Sequence, residues 1–254
     1  MSVLDAVIDV SHNNGTINWS AVAKDGIILA FIKATEGNTF VDPQFVINRK
    51  NATDAGLMVI PYHFMRGQDA LTQAKNFIKN ANLQAGAPAM LDWEVTSTSE
   101  ATLKAMGTAV QAITKRVPIG YYGASWVETP DAMLSTWPLL LPAYPHGNTP
   151  GTYSSLVTHP PKIPAGRQAS RPYDFQQYTP AGKISGISTA CDRSVWIGTS
   201  AELIYFVNFG TQSPTPTPII PPSPLPPQID VELGMHSYGP SVRNLQNALT
   251  YMCN

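Results

Sequence analysis

Residues 88–97 read PAMLDWEVTS, an apolar run that ends in two carboxyl groups, those of Asp92 and Glu94, with Trp93 between them. Buried strands seldom end in paired acids, so the stretch raises the question of what the two charges do. Residues two apart on a strand point to the same face. We therefore expect Asp92 and Glu94 to project together and Trp93 to face the opposite side.

Similar apolar runs recur along the first half of the chain at intervals of roughly 30 residues, the length of a strand, a helix and their loops. Their continuous rather than alternating hydrophobicity is typical of parallel strands that are buried on both faces. They are AVIDVS near Ile8, IILAFIKAT near Leu29, LMVIPYHF near Ile60 and VPIGYYG near Gly120. The intervening segments predict helices over residues 43–55, 69–81, 99–116 and 125–134.

The rhythm changes after about residue 136. The stretches WPLLLPAYP, YDFQQYTP and STACDRSVW predict three more strands, the last two without a helix between them, and residues 199–209 predict a closing helix. The sequence therefore predicts an α/β fold, an irregular TIM-barrel-like (β/α) barrel with eight strands and about five helices.

Composition divides the chain into three parts. We assign residues 1–210 to a catalytic barrel. Residues 211–228, TQSPTPTPIIPPSPLPPQ, form a proline-rich linker, because this composition favours extended chain over a packed core. Residues 229–254 are too few to bury a core and are interpreted as the start of an incomplete C-terminal module.

Overall composition excludes several classes of protein. The 254 residues carry a formal net charge of −1, which gives no electrostatic reason to expect nucleic-acid binding. No apolar run is long enough to insert into a membrane, and the N-terminus lacks the pattern of a signal peptide. Cys191 and Cys253 are interpreted as free thiols, and the histidines lack metal-ligand spacing, so we expect no metal and no cofactor.

Acidic residues occur where several predicted strands end. Asp9 lies late in the first strand, Asp92 and Glu94 end the fourth, and Asp192 lies beside the last. In a closed barrel the last strand neighbours the first, so these four acids can meet at one mouth. Crowded carboxyl groups in a partly dry cleft do not all stay ionised. We predict that Glu94, the outermost, is the general acid, with Asp92 and Asp9 as anionic partners.

Aromatic and amide side chains end other strands, which suits a sugar, since sugars offer C–H faces for stacking and hydroxyl groups for hydrogen bonds. His12 and His63 are interpreted as structural residues. The predicted substrate-binding residues are Tyr62, Phe64, Tyr122, Tyr144 and Gln177.

The ordered motifs AVIDVSHNNGTINW, FIKATEG, PYHF, MLDWE, GYYG and QQYTPAGKISGISTACDRSVW together resemble the glycoside hydrolase family 25 lysozymes found in many phage endolysins. The resemblance implies an N-acetylmuramidase that cleaves the β-1,4 bond between N-acetylmuramic acid and N-acetylglucosamine in peptidoglycan. By motif, Glu94 corresponds to the catalytic acid and Asp9, Asp92 and Asp192 to its companions. The C-terminal fragment resembles the opening of a peptidoglycan-binding module. We expect a monomer, made in the host cytoplasm, that acts on the bacterial wall after release.

Two other functions remain open at this stage, a chitinase-like hydrolase of acetamido sugars and a non-catalytic glycan-binding barrel. The chemical route is open as well. Water can attack directly, a covalent glycosyl-enzyme can form, or the acetamido oxygen of the sugar can attack while Asp92 steadies the amide. All three routes require a protonated Glu94 at the start.

Overall fold

The computed structural model describes residues 2–167 and 172–210. The predicted linker and C-terminal module, residues 211–254, lie outside this range, as does Cys253. Within the described ranges, each helix is too short or too polar to span a bilayer.

One sheet of nine strands makes up the centre of the described part, and eight of its strands close into a barrel because β1 pairs with both β2 and β9. The short β3 lies outside the closed ring and forms a hairpin with β2. The strands are β1 (Val3–Val10), β2 (Leu29–Glu36), β3 (Phe40–Val41), β4 (Met58–Phe64), β5 (Met90–Asp92), β6 (Ile119–Tyr121), β7 (Leu139–Pro142), β8 (Phe175–Gly182) and β9 (Cys191–Ile197). The predicted eight-stranded α/β barrel is confirmed.

Strand direction decides which strand ends reach the barrel mouth, which we define as the end at which the parallel strands finish. The ring strands from β1 to β8 are parallel to their ring neighbours, whereas β9 is antiparallel to both β8 and β1. Asp9 near the end of β1 therefore pairs with Asp192 near the start of β9. The reversed last strand thus brings its first residues, rather than its last, to the mouth.

Helices surround the barrel at most of the predicted positions. The exception is the helix predicted over residues 125–134, which is wrong: Thr129 precedes Pro130, a sequence that disfavours helical backbone, and only a short 3₁₀ turn forms at Leu134–Thr136. Two short helices, α1 and α5, were not predicted. The helices are α1 (Trp19–Lys24), α2 (Phe45–Asp54), α3 (Ala70–Asn80), α4 (Glu100–Thr114), α5 (Tyr153–Leu156) and α6 (Ser200–Phe209).

Two hydrophobic layers hold the barrel together. Alternate residues of the strands, including Phe31, Ile60 and Phe175, fill the interior below the mouth. The opposite faces pack against the helices. Trp93 belongs to this outer layer, where its ring meets that of Trp126 edge-on at 5.1 Å. The alternation predicted for residues 92–94 is thereby observed.

The contact between α4 and the outer face of the barrel requires a glycine. A Cβ atom on Gly107 would lie 1.9 Å from the Cη2 atom of the buried Trp137 ring. We expect Gly107→Ala to lower the free energy of unfolding by about 1–3 kcal/mol through this overlap, although alanine normally stabilises a helix by about 1 kcal/mol relative to glycine. Urea unfolding measures the change, with the exposed neighbour Thr108→Ala as control. Equal or greater stability of Gly107→Ala would contradict this packing.

Candidate active site

Four carboxyl groups from three strands interact at the mouth. Asp9 and Asp92 are buried, Asp192 is partly buried and Glu94, just beyond β5, is exposed. The charge of Asp192 acts on Asp9 and on Asp92, and the charge of Glu94 acts on Asp92 and on Asp192. The structure therefore brings together all four acids that the sequence indicated.

Asp9 and Asp192 form a hydrogen-bonded pair. Gln177 fixes this pair by donating from Nε2 to Oδ2 of Asp9 at 2.7 Å. Burial, and next the charge of Asp192, raise the pKa of Asp9 well above its usual value. Burial raises the pKa of Asp192 to about 6, although its hydrogen bond with Asp9 opposes the shift. The pair is therefore suited to share one proton near neutral pH.

Asp92 and Glu94 form the second pair. Burial, and next the charge of Glu94, raise the pKa of Asp92 well above its usual range. Oδ1 of Asp92 is shielded from solvent and has no hydrogen-bond partner among the described residues. Desolvation also raises the pKa of Glu94, against the opposing effects of Lys33 and Tyr121.

Asp9 and Asp92, expected as the anionic partners of Glu94, have pKa values that are shifted in the same direction as that of Glu94. Their pKa values rise more than that of Glu94, because they lie deeper and lose more hydration. Glu94 is distinguished by its access, since it is the exposed member of the four.

Sequence reasoning missed three charged residues beside the acids. Lys33 is buried, and its Nζ lies 2.5 Å from Oε2 of Glu36. Arg66 donates from Nε to Oε1 of the same glutamate at 2.7 Å. Although partial burial opposes it, hydrogen bonds from Lys33 and Arg66 lower the pKa of Glu36. The sequence signal was Lys33 itself, a charged residue on the same strand face as Leu29 and Phe31.

Four of the predicted substrate-binding residues lie around the acids. Tyr62 is buried, and the charges of Asp9, Asp92 and Asp192 act on its hydroxyl. The ring of Phe64 lies beneath Nζ of Lys33, 4.6 Å from ring centre to nitrogen. The half-exposed Tyr144 donates from its hydroxyl to Oε1 of Gln177.

Tyr122 is not part of this group. It is buried in the outer layer beside Trp93, at 6.1 Å between ring centres, where burial raises the pKa of its hydroxyl to about 12. Its neighbour Tyr121 faces the mouth instead and donates from its hydroxyl to Oε1 of Gln177 at 2.8 Å. Tyr121 shares a strand face with Ile119 of the barrel interior, and that alternation was the overlooked signal.

The remaining candidate groups have structural environments. His63 is buried between the Thr35 hydroxyl and the Gln73 amide, and desolvation lowers its pKa to about 4, so the ring is neutral. His12 contacts Asp42 at 2.8 Å. Cys191 is a buried thiol. Among residues 2–167 and 172–210, no cluster of three or more acidic, histidine or cysteine side chains is arranged to hold a metal ion.

Comparison with known proteins gives consistent results. Residues 8–187 match the family described as glycosyl hydrolases family 25. Lysozyme M1 of Streptomyces globisporus is 30% identical over 218 residues, which cover 79% of this chain and 70% of that protein. The N,O-diacetylmuramidase of Chalaropsis sp is 30% identical over 168 residues, covering 57% of this chain and 79% of that protein. The crystal structure of a bacterial lysozyme from Streptomyces coelicolor superposes with a TM-score of 0.68 at 28% identity, covering 83% of this chain and 100% of that one.

Proposed function

We infer from its family, the glycosyl hydrolases family 25 to which this chain belongs, that it is a lysozyme. The reaction is hydrolysis of the β-1,4 bond between N-acetylmuramic acid and N-acetylglucosamine in peptidoglycan. The observation that carries this proposal is the convergence of four carboxyl groups at the mouth, two of them buried. Most glycoside hydrolases use a carboxylic acid as proton donor together with a second carboxyl group, and this cluster offers both kinds of side chain.

Glu94 is the proposed proton donor to the leaving oxygen. It is exposed, so a glycan lying across the mouth can reach it, and desolvation raises its pKa. A bound sugar would displace more water and raise the pKa of Glu94 further. Substrate binding would thus favour the protonated form of Glu94, which is the form that a general acid needs.

Asp92 is proposed to hold the acetamido group of the substrate. Its Oδ1 is shielded from solvent and accepts no hydrogen bond within the described part of the chain. An unsatisfied buried acceptor costs free energy, so a hydrogen bond from an N–H donor would stabilise it. The amide N–H of an acetamido sugar would supply that donor and leave the acetamido oxygen free to attack the anomeric carbon. This geometry supports the third of the chemical routes considered above.

The side walls of the mouth are proposed to bind the sugar rings. Tyr62, Phe64, Tyr144 and Gln177 surround the acids, and Tyr121 joins them through its bond to Gln177. Tyr121 therefore replaces Tyr122 as the proposed tyrosine contact from β6. These side chains combine apolar ring area with fixed polar atoms, as sugar sites require.

The two rival functions are less well supported. A binding barrel has no use for four crowded carboxyl groups with raised pKa values, because their burial costs stability without adding affinity for a neutral sugar. A chitinase-like activity would use similar acids, but the relatives with at least 30% identity named above are a lysozyme and a diacetylmuramidase.

Mass spectrometry of the products of digested peptidoglycan tests the proposed reaction. We expect soluble fragments with N-acetylmuramic acid at the reducing end, because cleavage of the proposed bond frees the anomeric carbon of that sugar. Purified chitin under the same conditions serves as the control and should release no fragments. Fragments ending in N-acetylglucosamine, or efficient release from chitin, would contradict the proposal.

We propose three further properties of the protein. The chain acts as a phage endolysin that reaches the wall after release from the host cytoplasm. It functions as a monomer and does not bind nucleic acid, in line with its net charge of −1. Residues 229–254 belong to a module that holds the enzyme on insoluble wall.

A further inference from the structure

A polar groove lies beside the mouth and has no part in the reaction described above. It is formed by the turn between β2 and β3 and by the segment between β4 and α3, and its volume is about 400 Å³. Glu36 and Arg66 line the groove and also belong to the charged group next to the acids, so the groove and the mouth are continuous. Its lining includes the side chains of Glu36, Asn38, Thr39, Arg66, Gln68 and Ser97.

We propose that this groove takes the acidic peptide arm carried by the muramic acid of peptidoglycan, with Arg66 as the ligand of a peptide carboxylate. The inference rests on the proposed lysozyme function and adds a specificity site to it. The lactyl group of muramic acid carries a peptide that has free carboxylates, and chitin has no such arm. The acids of the mouth would repel a peptide carboxylate. Binding of the carboxylate next to the mouth therefore requires a positively charged side chain in the groove.

Arg66 provides that cation in a fixed position. Its guanidinium stacks on the ring of Phe64 at 4.6 Å, and its side chain remains 45% exposed. Its backbone is clamped by the buried Gln73, which accepts from N of Arg66 at 2.9 Å and donates to its O at 3.0 Å. Thr98 donates to the same carbonyl oxygen at 2.8 Å. A guanidinium held in this way loses little freedom when it binds a carboxylate.

The charge balance beside the mouth favours an anionic guest. Glu36 is the shared partner of Lys33 and Arg66, so the three side chains carry a formal charge of +1. Lys33 is buried under the mouth, whereas Arg66 reaches the groove. The guanidinium contacts Glu36 through Nε and Nη2, both of which meet the single oxygen Oε1.

The walls of the groove also fit a peptide. Oδ1 of Asn38 is shielded from solvent and lacks a hydrogen-bond partner in the described part of the chain, so it can accept a peptide N–H. Two glycines keep the walls in place. A Cβ on Gly67 would lie 2.2 Å from the backbone oxygen of Ser97, and one on Gly37 would lie 2.5 Å from Oε1 of Gln68. Only a residue without a side chain at position 67 permits this close approach to the backbone of the loop after β5, and the positive φ of Gly37 favours glycine in the turn between β2 and β3.

The experiment compares two matched soluble substrates, glycan strands that carry peptides and the same strands stripped of peptides by an amidase. We expect Arg66→Gln to raise KM for peptide-bearing strands about tenfold, since a charge-assisted contact with the peptide is lost. The charge of Arg66 also acts on Glu94, so any change in kcat should be the same for the two substrates. KM for stripped strands should stay within about twofold of the wild type. Lys50→Gln on α2, whose side chain is 71% exposed, is the matched control for loss of one positive charge.

A second variant guards against a folding defect at Arg66. Thr39→Trp would fill the groove from its exposed edge and should cause the same peptide-specific rise in KM. Equal changes in KM for both substrates, or no effect of either variant on KM for peptide-bearing strands, would overturn the groove proposal. Failure of the wild type to cleave either substrate would instead overturn the lysozyme function itself.

Discussion

Glu94→Gln is expected to lower kcat on peptidoglycan by about 10²-fold or more, because the amide keeps the size of the side chain but has no proton to give to the leaving oxygen. Binding of the glycan should change little, since Gln can still donate and accept hydrogen bonds. Turbidity loss of purified walls measures the rate, and sedimentation with walls measures binding. Asp54→Asn, an exposed acid on α2, is the matched control.

A substrate with a good leaving group makes this test specific for proton donation. The aryloxide of an aryl glycoside leaves without needing a proton. The loss of kcat caused by Glu94→Gln should therefore shrink to less than about tenfold on such a substrate. An equal loss on both substrates would mean that Glu94 binds or positions the sugar. Near-normal wall lysis by the variant would remove Glu94 from the mechanism.

Asp92→Asn is expected to lose activity and gain stability. The reaction should slow by about 10²-fold, because the acceptor proposed for the acetamido N–H is replaced by a mixed donor and acceptor. At pH 7–8 the free energy of unfolding should rise by about 1–3 kcal/mol, since the variant no longer ionises a group in a buried site. Thermal unfolding and wall lysis on the same preparation measure the two effects.

The pH dependence follows from the direction of the shifts. A carboxyl group whose pKa is raised by folding binds more protons in the native state than in the unfolded chain, so stability falls as pH rises. For Asp192 the fall spans the range from its unfolded value of about 3.9 to about 6. For Asp9 and Asp92 stability likewise falls as pH rises above the unfolded value, because burial raises their pKa values in the same direction. The stability advantage of Asp92→Asn should therefore vanish near pH 4.

The control for this variant is again Asp54→Asn, which removes an acid that is 59% exposed in an ion pair with Lys50. It should leave activity unchanged and alter stability by less than about 1 kcal/mol. If Asp92→Asn is less stable than the wild type at pH 8, Asp92 is held by favourable contacts, and burial is not the dominant cause of its raised pKa.

Much of the fold follows from local sequence signals. Continuous apolar runs at a regular spacing specify parallel strands, and closure of the barrel then brings Asp9, Asp92, Glu94 and Asp192 together. The antiparallel direction of β9 was harder to predict, because it depends on the absence of a crossover helix rather than on residues within the strand. The failed helix at residues 125–134 shows that apolar content misleads where Pro130 interrupts the segment.

The face to which a side chain points was predictable where the alternation of residues along a strand allowed one answer. It was less predictable where two neighbouring residues were equally suitable. Asp92, Trp93 and Glu94 follow the rule without ambiguity. Adjacent Tyr121 and Tyr122 offer two possible faces, and only the register with Ile119 distinguishes them. Glu36 and Arg66 were missed because their contact joins the end of β2 to the segment after β4, 30 residues along the chain, which no local pattern reports. The protonation order of the acids likewise depends on depth, a property of the assembled barrel.

The central claim is that folding forces these four acids into one poorly hydrated cluster, and a carbon-13 NMR titration of their carboxyl groups tests it most directly. The account predicts that Asp192 titrates near pH 6, that Asp9 and Asp92 also titrate well above 4, and that Asp192→Asn shifts the curve of Asp9. Four independent titrations near pH 4, unchanged by Asp192→Asn, would contradict it.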